Sequence, residues 1–279
     1  MTDITAIPQR PTYHARGGAS TPAALRDIAE AFQRWPLWLL MSWQDTKLRY
    51  RGSVLGPFWL TISMGVMILA MGFVYSRLLK TPTNDYFPFL TLGLMQWTLM
   101  STLMQDACIT FIQSSAFIKQ IRLPYMVYVM RTLTRNMIAY AHNFVVYILV
   151  ALYFGIWPGE HFWLLLPGLA LFLLNAIWVI LLFALICARF RDLQPIITSL
   201  VQVVFFVTPV VWVPKLLDGY GWVFQLNPFY HMLELIRAPL LGHTPEALSY
   251  IYTSLTAIIG IAGTFIMFRR FRARIAYWV

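Results

Sequence analysis

Six long apolar stretches constrain the fold of this chain more than any other feature of its sequence. Each is close to the roughly 20 residues that an α-helix needs to cross the hydrocarbon core of a bilayer. Only 11% of the residues are charged, against roughly 25% in a typical soluble domain. We therefore predict an all-α integral membrane protein with six transmembrane helices, at about 58–79, 87–108, 136–156, 163–188, 196–213 and 251–268.

The basic residues predict the orientation of these helices. The net charge is +10, and placing both termini in the cytoplasm puts all but four of the 21 lysines and arginines on the cytoplasmic side. Cytoplasmic loops of membrane proteins carry such an excess. We therefore expect cytoplasmic N- and C-termini, and the positive charge needs no nucleic-acid partner to explain it. The four exceptions are Arg77, Lys80, Lys215 and Arg237.

Three segments are not predicted to span the membrane. Residues 1–34 are polar and dotted with Pro, Gly, Ser and Thr, which predicts a flexible cytoplasmic tail. Leu37–Tyr50 mixes tryptophans with charged residues, as in an amphipathic helix that lies in the membrane interface. Pro214–Gly242 is too polar to span and too apolar for a free loop, which predicts a periplasmic re-entrant hairpin between the fifth and sixth helices.

The hairpin and the fifth span contain local signals of their own. Asn227 followed by Pro228 predicts a helix cap and a first turn, opening a short helix that ends near Leu241. Glu234 and Arg237 lie three residues apart on that helix, and a structural ion pair is the favoured interpretation over a substrate site. Pro209 predicts a kink or unwinding at the outer end of the fifth span.

Sequence motifs for catalysis or nucleotide binding are missing. No lysine follows a glycine in a phosphate-binding loop, the five histidines form no HExxH pair, and no serine occupies a G-x-S-x-G turn. We expect no cofactor and no metal in this chain, so an ATP-driven activity would need a separate ATPase. Cys108 and Cys187 lie in apolar stretches and are predicted to be inert buried thiols.

Few ionisable residues fall inside the predicted spans. Asp106 lies near the end of the second span, and His142 precedes Asn143 in the third. A proton relay is one interpretation. The favoured one is that Asp106 reaches the interface or pairs with a basic residue there, while His142 and Asn143 form hydrogen bonds between helices.

Aromatic residues make up 16% of the chain, and several lie within the first and fifth spans. A flat aromatic face without fixed charge could let sugar rings slide past. Contact with lipid or packing in the protein core explains any single one of these residues equally well. The candidates are Trp59, Phe73, Tyr75, Phe205, Phe206 and Trp212.

The loop between the second and third spans mixes apolar and basic residues. It could form a short cytoplasmic helix that stops before Pro124 and docks into a groove of a partner protein. A turn on the membrane surface is the alternative, and the sequence leaves the two open. The residues concerned are Ser114, Ser115, Phe117, Ile118, Lys119 and Arg122.

Several strings occur in an order that resembles ABC-2 type permeases, the membrane subunits that export polysaccharides. The first is WQDTKLRYRGSVLGPFW at residues 43–59, which leads into the first span. The others are ARFRD at 188–192, TPVVW at 208–212, LNPFYH at 226–231 and RIAYWV at 274–279. The resemblance covers a domain at 35–279 and is nearest to the Wzm-like permeases for O-antigen; capsule and teichoic acid exporters are more distant.

The resemblance implies a homodimer that pairs with two copies of a cytoplasmic ATPase, which would bind ATP and magnesium. Ser114–Arg122 would be the coupling helix seated in the ATPase, and Leu37–Tyr50 the interface helix. Pro214–Leu241 would cap the periplasmic mouth of a channel lined by spans one and five.

The substrate implied by the resemblance is a polysaccharide on an undecaprenyl pyrophosphate anchor, exported through the bacterial inner membrane amid membrane lipids. Arg49 and Arg51 would meet the pyrophosphate, because guanidinium groups pair well with phosphate oxygens. Setting the topology or contacting phospholipid headgroups explains these two arginines equally well.

Two other classes of protein remain as alternatives. A proton-coupled secondary transporter would work without an ATPase and would depend on Asp106. An integral membrane enzyme of lipid-linked sugar metabolism would cluster acids or histidines on one face of the membrane. The acids predicted outside the cell are too scattered to suggest such a cluster: Asp85, Glu160, Asp218, Glu234 and Glu246.

Overall fold

Helices account for every regular element in the computed structural model, which describes residues 20–53, 55–56, 58–214 and 219–279. Residues 1–19 of the predicted tail and residues 215–218 of the predicted hairpin lie outside these ranges. Short 3-10 helices occur at Gly159–Leu164 and Arg272–Arg274. The α-helices are α1 (Thr21–Gln33), α2 (Trp35–Arg49), α3 (Phe58–Leu78), α4 (Thr83–Gln113), α5 (Ser115–Gln120), α6 (Tyr125–Phe154), α7 (Leu165–Arg189), α8 (Leu193–Val207), α9 (Trp222–Gln225), α10 (Pro228–Leu240), α11 (Ala247–Phe271) and α12 (Ile275–Trp278).

The central helix of the bundle is α4, which contacts α3, α6, α7, α8 and α10. More than half of its 31 residues are buried, among them the polar Thr91 and Gln96. A helix that other helices surround does not need an apolar surface on every side, which is how α4 can carry more polar residues than its neighbours. Cys108 of α4 and Cys187 of α7 are buried free thiols, as predicted.

Each of the six predicted spans corresponds to a helix of the bundle. Within the described ranges, four helical segments are long and apolar enough to cross a membrane, and they are Phe58–Leu78, Tyr125–Phe154, Gly159–Arg189 and Ala247–Trp278. α4 is not among them, and α8 is apolar but has only 15 residues. The multi-pass membrane fold is thus supported, whereas the number of six spans stays a prediction.

The predicted flexible tail is wrong for residues 21–33, because these form the helix α1. Asp27 on α1 is buried, and its carboxylate accepts hydrogen bonds from the backbone N–H groups of Tyr125 and Met126, both at 3.1 Å. It thereby caps the first turn of α6, where backbone donors lack partners within the helix. The same carboxylate pairs with Arg272 at 2.8 Å. Burial raises the pKa of Asp27, while these three partners oppose the rise.

Replacing Asp27 with Ala is expected to lower the free energy of unfolding by about 3 kcal/mol, because it leaves two N–H groups and a guanidinium without their acceptor. Thermal unfolding of the purified protein in detergent measures this change. Glu30→Ala is the matched control, since Glu30 lies on the same helix and makes no ion pair among the described residues. Equal melting temperatures for the two variants would contradict the anchoring role of Asp27.

The predicted amphipathic segment forms α2, and small polar side chains together with Leu37, Trp38 and Met41 face the protein. Ser42 and Thr46 are its buried residues, and the Ser42 hydroxyl donates to the backbone carbonyl of Arg131 on α6 at 2.9 Å. Large apolar side chains elsewhere on α2 are exposed, including Trp35, Leu40 and Trp43. An exposed apolar side suits contact with lipid, which is consistent with a helix beside the membrane.

Candidate functional site

The irregular segment that follows α8 is held by side chains from two other helices. α8 ends at Val207, two residues before Pro209, as the position of this proline predicted. The hydroxyl of Tyr86 on α4 donates to the carbonyl of Val211 at 2.7 Å. Gly93 on α4 lies so close that an added Cβ would stand 2.6 Å from the carbonyl oxygen of Val210. This segment is therefore fixed tightly against α4.

Arg237 on α10 is the largest fully buried side chain of the described residues. Its guanidinium donates to the carboxylate of Glu234, with Nε at 2.9 Å from Oε1, and to the carbonyl of Pro209 at 2.8 Å. The ring of Phe89 lies 4.0 Å from the guanidinium carbon, a cation–π distance. The predicted Glu234–Arg237 pair is confirmed, and it also ties α10 to the segment after α8.

The predicted helix start at Asn227 and Pro228 is confirmed. The Asn227 side chain accepts from the N–H of Phe229 at 2.9 Å and donates to the Thr208 hydroxyl at 2.8 Å. α10 packs against α4, α7 and α11, and ten of its thirteen residues are buried. It is therefore folded back into the bundle, as a re-entrant helix would be. Its depth in a membrane stays a prediction.

His231 on α10 was not singled out by the sequence, yet it is completely buried. Its Nε2–H donates to the carbonyl of Gln225 at 2.7 Å, and in the neutral ring Nδ1 accepts from the Ser249 hydroxyl at 2.9 Å. The ring also stacks on Tyr252 at 4.6 Å. His231 thereby connects α9, α10 and α11. The one signal in the sequence that pointed to His231 is its position in the string LNPFYH.

The six predicted channel aromatics divide into two groups. Trp59 and Phe73 on α3 and Phe206 on α8 are exposed, whereas the other three are partly buried. α3 packs against α4 and α6, whereas α8 packs against α4 and α7, so the candidates lie on two separate surfaces of the chain. The partly buried residues are Tyr75, Phe205, which contacts Trp97, and Trp212, which contacts Phe224.

The predicted short helix before Pro124 is present as α5, and its residues differ in exposure. Ser114 and Ile118 are buried and anchor it to the bundle. Phe117 is 42% exposed, and Lys119 is also exposed. The guanidinium carbon of Arg131 on α6 lies 6.0 Å from the Phe117 ring. Of the remaining candidates, Ser115 is partly buried and Arg122 is exposed.

An ionic cluster joins α2, α4 and α6 beside α5. Asp45 on α2 binds Arg131 in a bidentate pair, with its Oδ2 at 2.7 Å from Nε, and lies 3.5 Å from Arg135. Arg135 also pairs with Asp106 of α4 at 2.8 Å, and Asn136 donates to the same oxygen at 2.8 Å. Of the two interpretations of Asp106, the structure supports pairing with a basic residue.

His142 and Asn143 do not make the hydrogen bonds that the sequence predicted. The Nδ1–H of His142 donates to the carbonyl of Ile138 within α6 at 2.8 Å. The bond between helices uses the backbone carbonyl of His142 instead, which accepts from Thr61 of α3 at 3.0 Å. The Asn143 side-chain oxygen is buried and has no hydrogen-bond partner among the described residues. The side chains thus do not form the predicted hydrogen bonds between helices.

Arg49 and Arg51, the predicted pyrophosphate residues, are exposed at the turn between α2 and α3. Arg49 lines a narrow cleft with Arg135 and His142. A cavity of about 260 Å³ lies next to it, lined partly by Lys47 and His142. Burial raises the pKa of Tyr50 beside Arg49. Arg49 and Lys47 thus line two adjacent cavities that share Thr46, Tyr50 and His142, and Arg51 lines neither of them.

A bundle of long apolar helices around α4, with the buried helix α10 before the last of them, defines an integral membrane protein without a visible catalytic centre in the described ranges. The sequence pattern of the ABC-2 type transporter family matches residues 36–241. The chain belongs to this family, and it is a multi-pass membrane protein.

Relatives with assigned names match most of the chain. An O-antigen export system permease protein RfbA of Myxococcus xanthus is 23% identical over 228 residues, covering 80% of this chain and 87% of the relative. A protein of the same name from Klebsiella pneumoniae is 21% identical over 238 residues, covering 84% of this chain and 91% of the relative.

Proposed function

We propose that this chain is the channel-forming subunit of an ABC exporter that moves a lipid-linked polysaccharide of the O-antigen type across the bacterial inner membrane. The observation that carries the proposal is the similarity to the two O-antigen export permeases over at least 80% of the chain. The exporter is a homodimer bound to two copies of a cytoplasmic ATPase, and ATP and magnesium bind to that partner.

The proposed topology has six spans with both termini in the cytoplasm. In this topology α3, α4, α6, α7, α8 and α11 cross the membrane, and α4 does so at the centre of the bundle. The exposed apolar sides of α3 and α8 support the proposal, because a homodimer could bring these two surfaces together around a channel. The aromatics Trp59, Phe73 and Phe206 then offer flat faces to sugar rings.

The proposed coupling route begins at α5. Phe117 and Lys119 extend from α5 towards the ATPase, while Ile118 holds the helix on the bundle. Movement of α5 reaches α2 through Arg131, which lies over the Phe117 ring and pairs with Asp45. The cleft at Arg49 is the proposed entrance for the pyrophosphate, because guanidinium groups pair with phosphate oxygens.

The test is deletion of the gene in its host, followed by gel and mass analysis of two pools of glycan. We expect polymer to disappear from the cell surface while the undecaprenyl-linked form accumulates at the inner membrane. The accumulated material then identifies the sugar. Unchanged surface glycan would exclude polysaccharide export, and loss of both pools would point to a biosynthetic enzyme.

A further inference from the structure

A groove of about 550 Å³ runs between α4, α7, α10 and α11, on surfaces not assigned to the channel or to the ATPase. Its lining is almost entirely apolar, with Met100, Phe183 and Met267 among the larger side chains. Two of its few polar side chains satisfy each other, since the Thr256 hydroxyl donates to the Asn175 side-chain oxygen at 3.1 Å. The hydroxyl of Thr264, another polar residue of the lining, is buried and has no hydrogen-bond partner among the described residues. The surface that the groove offers is nevertheless almost all apolar, which favours an apolar ligand.

Two glycines on α11 shape the groove. Gly260 lies directly against Trp178 of α7, so that an added Cβ would stand 2.2 Å from the indole ring. The indole N–H of Trp178 donates to the side-chain oxygen of Asn175 at 3.0 Å, and this bond holds the ring in place along one side of the groove. Gly263 lies one turn further along and is exposed, and an added Cβ there would meet no atom within 4 Å. The missing side chain at Gly263 leaves the groove open.

Three arginines gather around two aromatic rings at the ends of α7 and α11. The Arg189 guanidinium lies 5.6 Å from the Trp278 ring, and Phe271 contacts that ring at 5.6 Å. Arg270 and Arg274 lie 5.7 and 5.9 Å from the Phe271 ring. All three arginines are exposed, and none forms an ion pair with a carboxylate of the described ranges. The cluster therefore carries about three positive charges that an anion could neutralise.

The groove and the arginine cluster lie on one line. Gly263, Met267 and Arg270 are separated by four and three residues, so they share one face of α11. Met267 lies at the end of the groove, and Arg270 follows it by about 4.5 Å along the axis of α11, which is less than one helical turn. On α7, Leu182 lines the groove and Arg189 follows seven residues later on the same face. The arginine cluster thus lies beyond one end of the groove, on the same faces of α7 and α11.

We propose that this surface is a binding site for an anionic phospholipid, with one acyl chain in the groove and the phosphate at Arg189, Arg270 and Arg274. Basic clusters next to membrane-spanning helices attract anionic headgroups. α7 and α11 belong to two of the candidate spans, so hydrocarbon chains are the surrounding solvent. The proposal requires a membrane protein only and does not rest on polysaccharide export.

The size of the groove argues against a helix of a second copy as the occupant. A helix about 10 Å wide would fill 550 Å³ over only about 7 Å of its length, which is less than one and a half turns. So short a contact is much smaller than the roughly 800 Å² per partner that a stable interface buries. A single acyl chain is far narrower, so it can follow the groove from Met232 to Met267 and reach the arginines.

The test is native mass spectrometry of the full-length protein in detergent, with phosphatidylglycerol or phosphatidylcholine added. We expect one phosphatidylglycerol per chain to be retained in preference to phosphatidylcholine. Gly263→Leu fills the groove and should abolish this retention, while Ala262→Leu, on the exposed neighbouring position of α11, should preserve it.

The arginine cluster is tested separately. Arg270→Gln with Arg274→Gln should weaken binding of phosphatidylglycerol roughly thirtyfold. Arg26→Gln with Arg34→Gln removes the same charge from exposed positions near α1 and should have no effect.

Three results would overturn the proposal. Equal retention of phosphatidylglycerol by Gly263→Leu and Ala262→Leu, with both variants folded, would exclude the groove. A change in the number of chains per particle in Gly263→Leu would assign the groove to an interface between copies. Displacement of phosphatidylglycerol by an equal concentration of undecaprenyl phosphate would assign it to a polyprenyl lipid.

Discussion

Replacing Arg237 with Met is expected to lower the midpoint of thermal unfolding by roughly 5–10 °C, one of the two largest effects that we predict. The substitution keeps an apolar chain of similar length but removes every donor to Glu234 and to the carbonyl of Pro209. The carbonyl of Pro209 would lose its buried donor, and the carboxylate of Glu234, which is 20% exposed, would lose its counter-ion, at a cost of about 3 kcal/mol in total. The cation–π contact with Phe89 is lost as well.

Two variants separate this effect from the general loss of an arginine. Arg77→Met removes an exposed guanidinium that lies 5.3 Å from the Phe73 ring and forms no ion pair among the described residues, so it should leave the midpoint unchanged. Arg237→Met combined with Glu234→Met should be more stable than Arg237→Met alone, because no carboxylate is then left unpaired. If Arg237→Met alone were as stable as the wild-type protein, the anchoring role of Arg237 would be refuted.

Replacing Phe117 with Asp is expected to abolish transport-coupled ATP hydrolysis, the other large effect. Aromatic anchors carry much of the binding free energy of a docking helix, and truncating one typically weakens binding roughly thirtyfold or more. The folded chain should tolerate the change, because Phe117 is 42% exposed and Ile118 keeps α5 on the bundle. The measurement is the ATPase rate of the complex in proteoliposomes, together with the surface glycan of cells that carry the variant.

Phe32→Asp is the matched control for this experiment. Phe32 lies on α1 with a similar exposure of 47%, outside the proposed docking surface. We expect normal hydrolysis and normal surface glycan with Phe32→Asp. Wild-type coupling with Phe117→Asp would exclude α5 as the docking helix, and unfolding of that variant would show that Phe117 belongs to the core instead.

Local sequence signals predicted the helices well where a single segment carries the signal. Long apolar stretches, the cap at Asn227 and the break at Pro209 each act over a few residues. α1 was missed because its stability comes from distant parts of the chain. Asp27 bonds to residues 98 and 99 positions away and to Arg272, 245 positions away, and no local pattern reveals such partners.

The candidate site was less predictable, because exposure depends on which way a side chain points in the assembled bundle. Phe205 and Phe206 are neighbours in sequence, yet Phe205 packs on Trp97 while Phe206 is 74% exposed. Successive helical residues point in directions about 100° apart, so adjacent aromatics face different surroundings. The partner of Asp106 was likewise hidden, since Arg135 lies on another helix.

The anchoring of the segment after α8 has a mechanical consequence. Tyr86, Gly93 and Arg237 hold residues 209–211 in place, whereas the other end of α8 follows an exposed turn at residues 190–192. Any tilt of α8 would therefore pivot at Thr208, which is the fixed end of this helix. Its 15 residues measure about 22 Å, so a tilt of about 10° moves the free end by about 4 Å and the pivot hardly at all. In such a tilt the displacement would be largest at Leu193 and smallest at Val207.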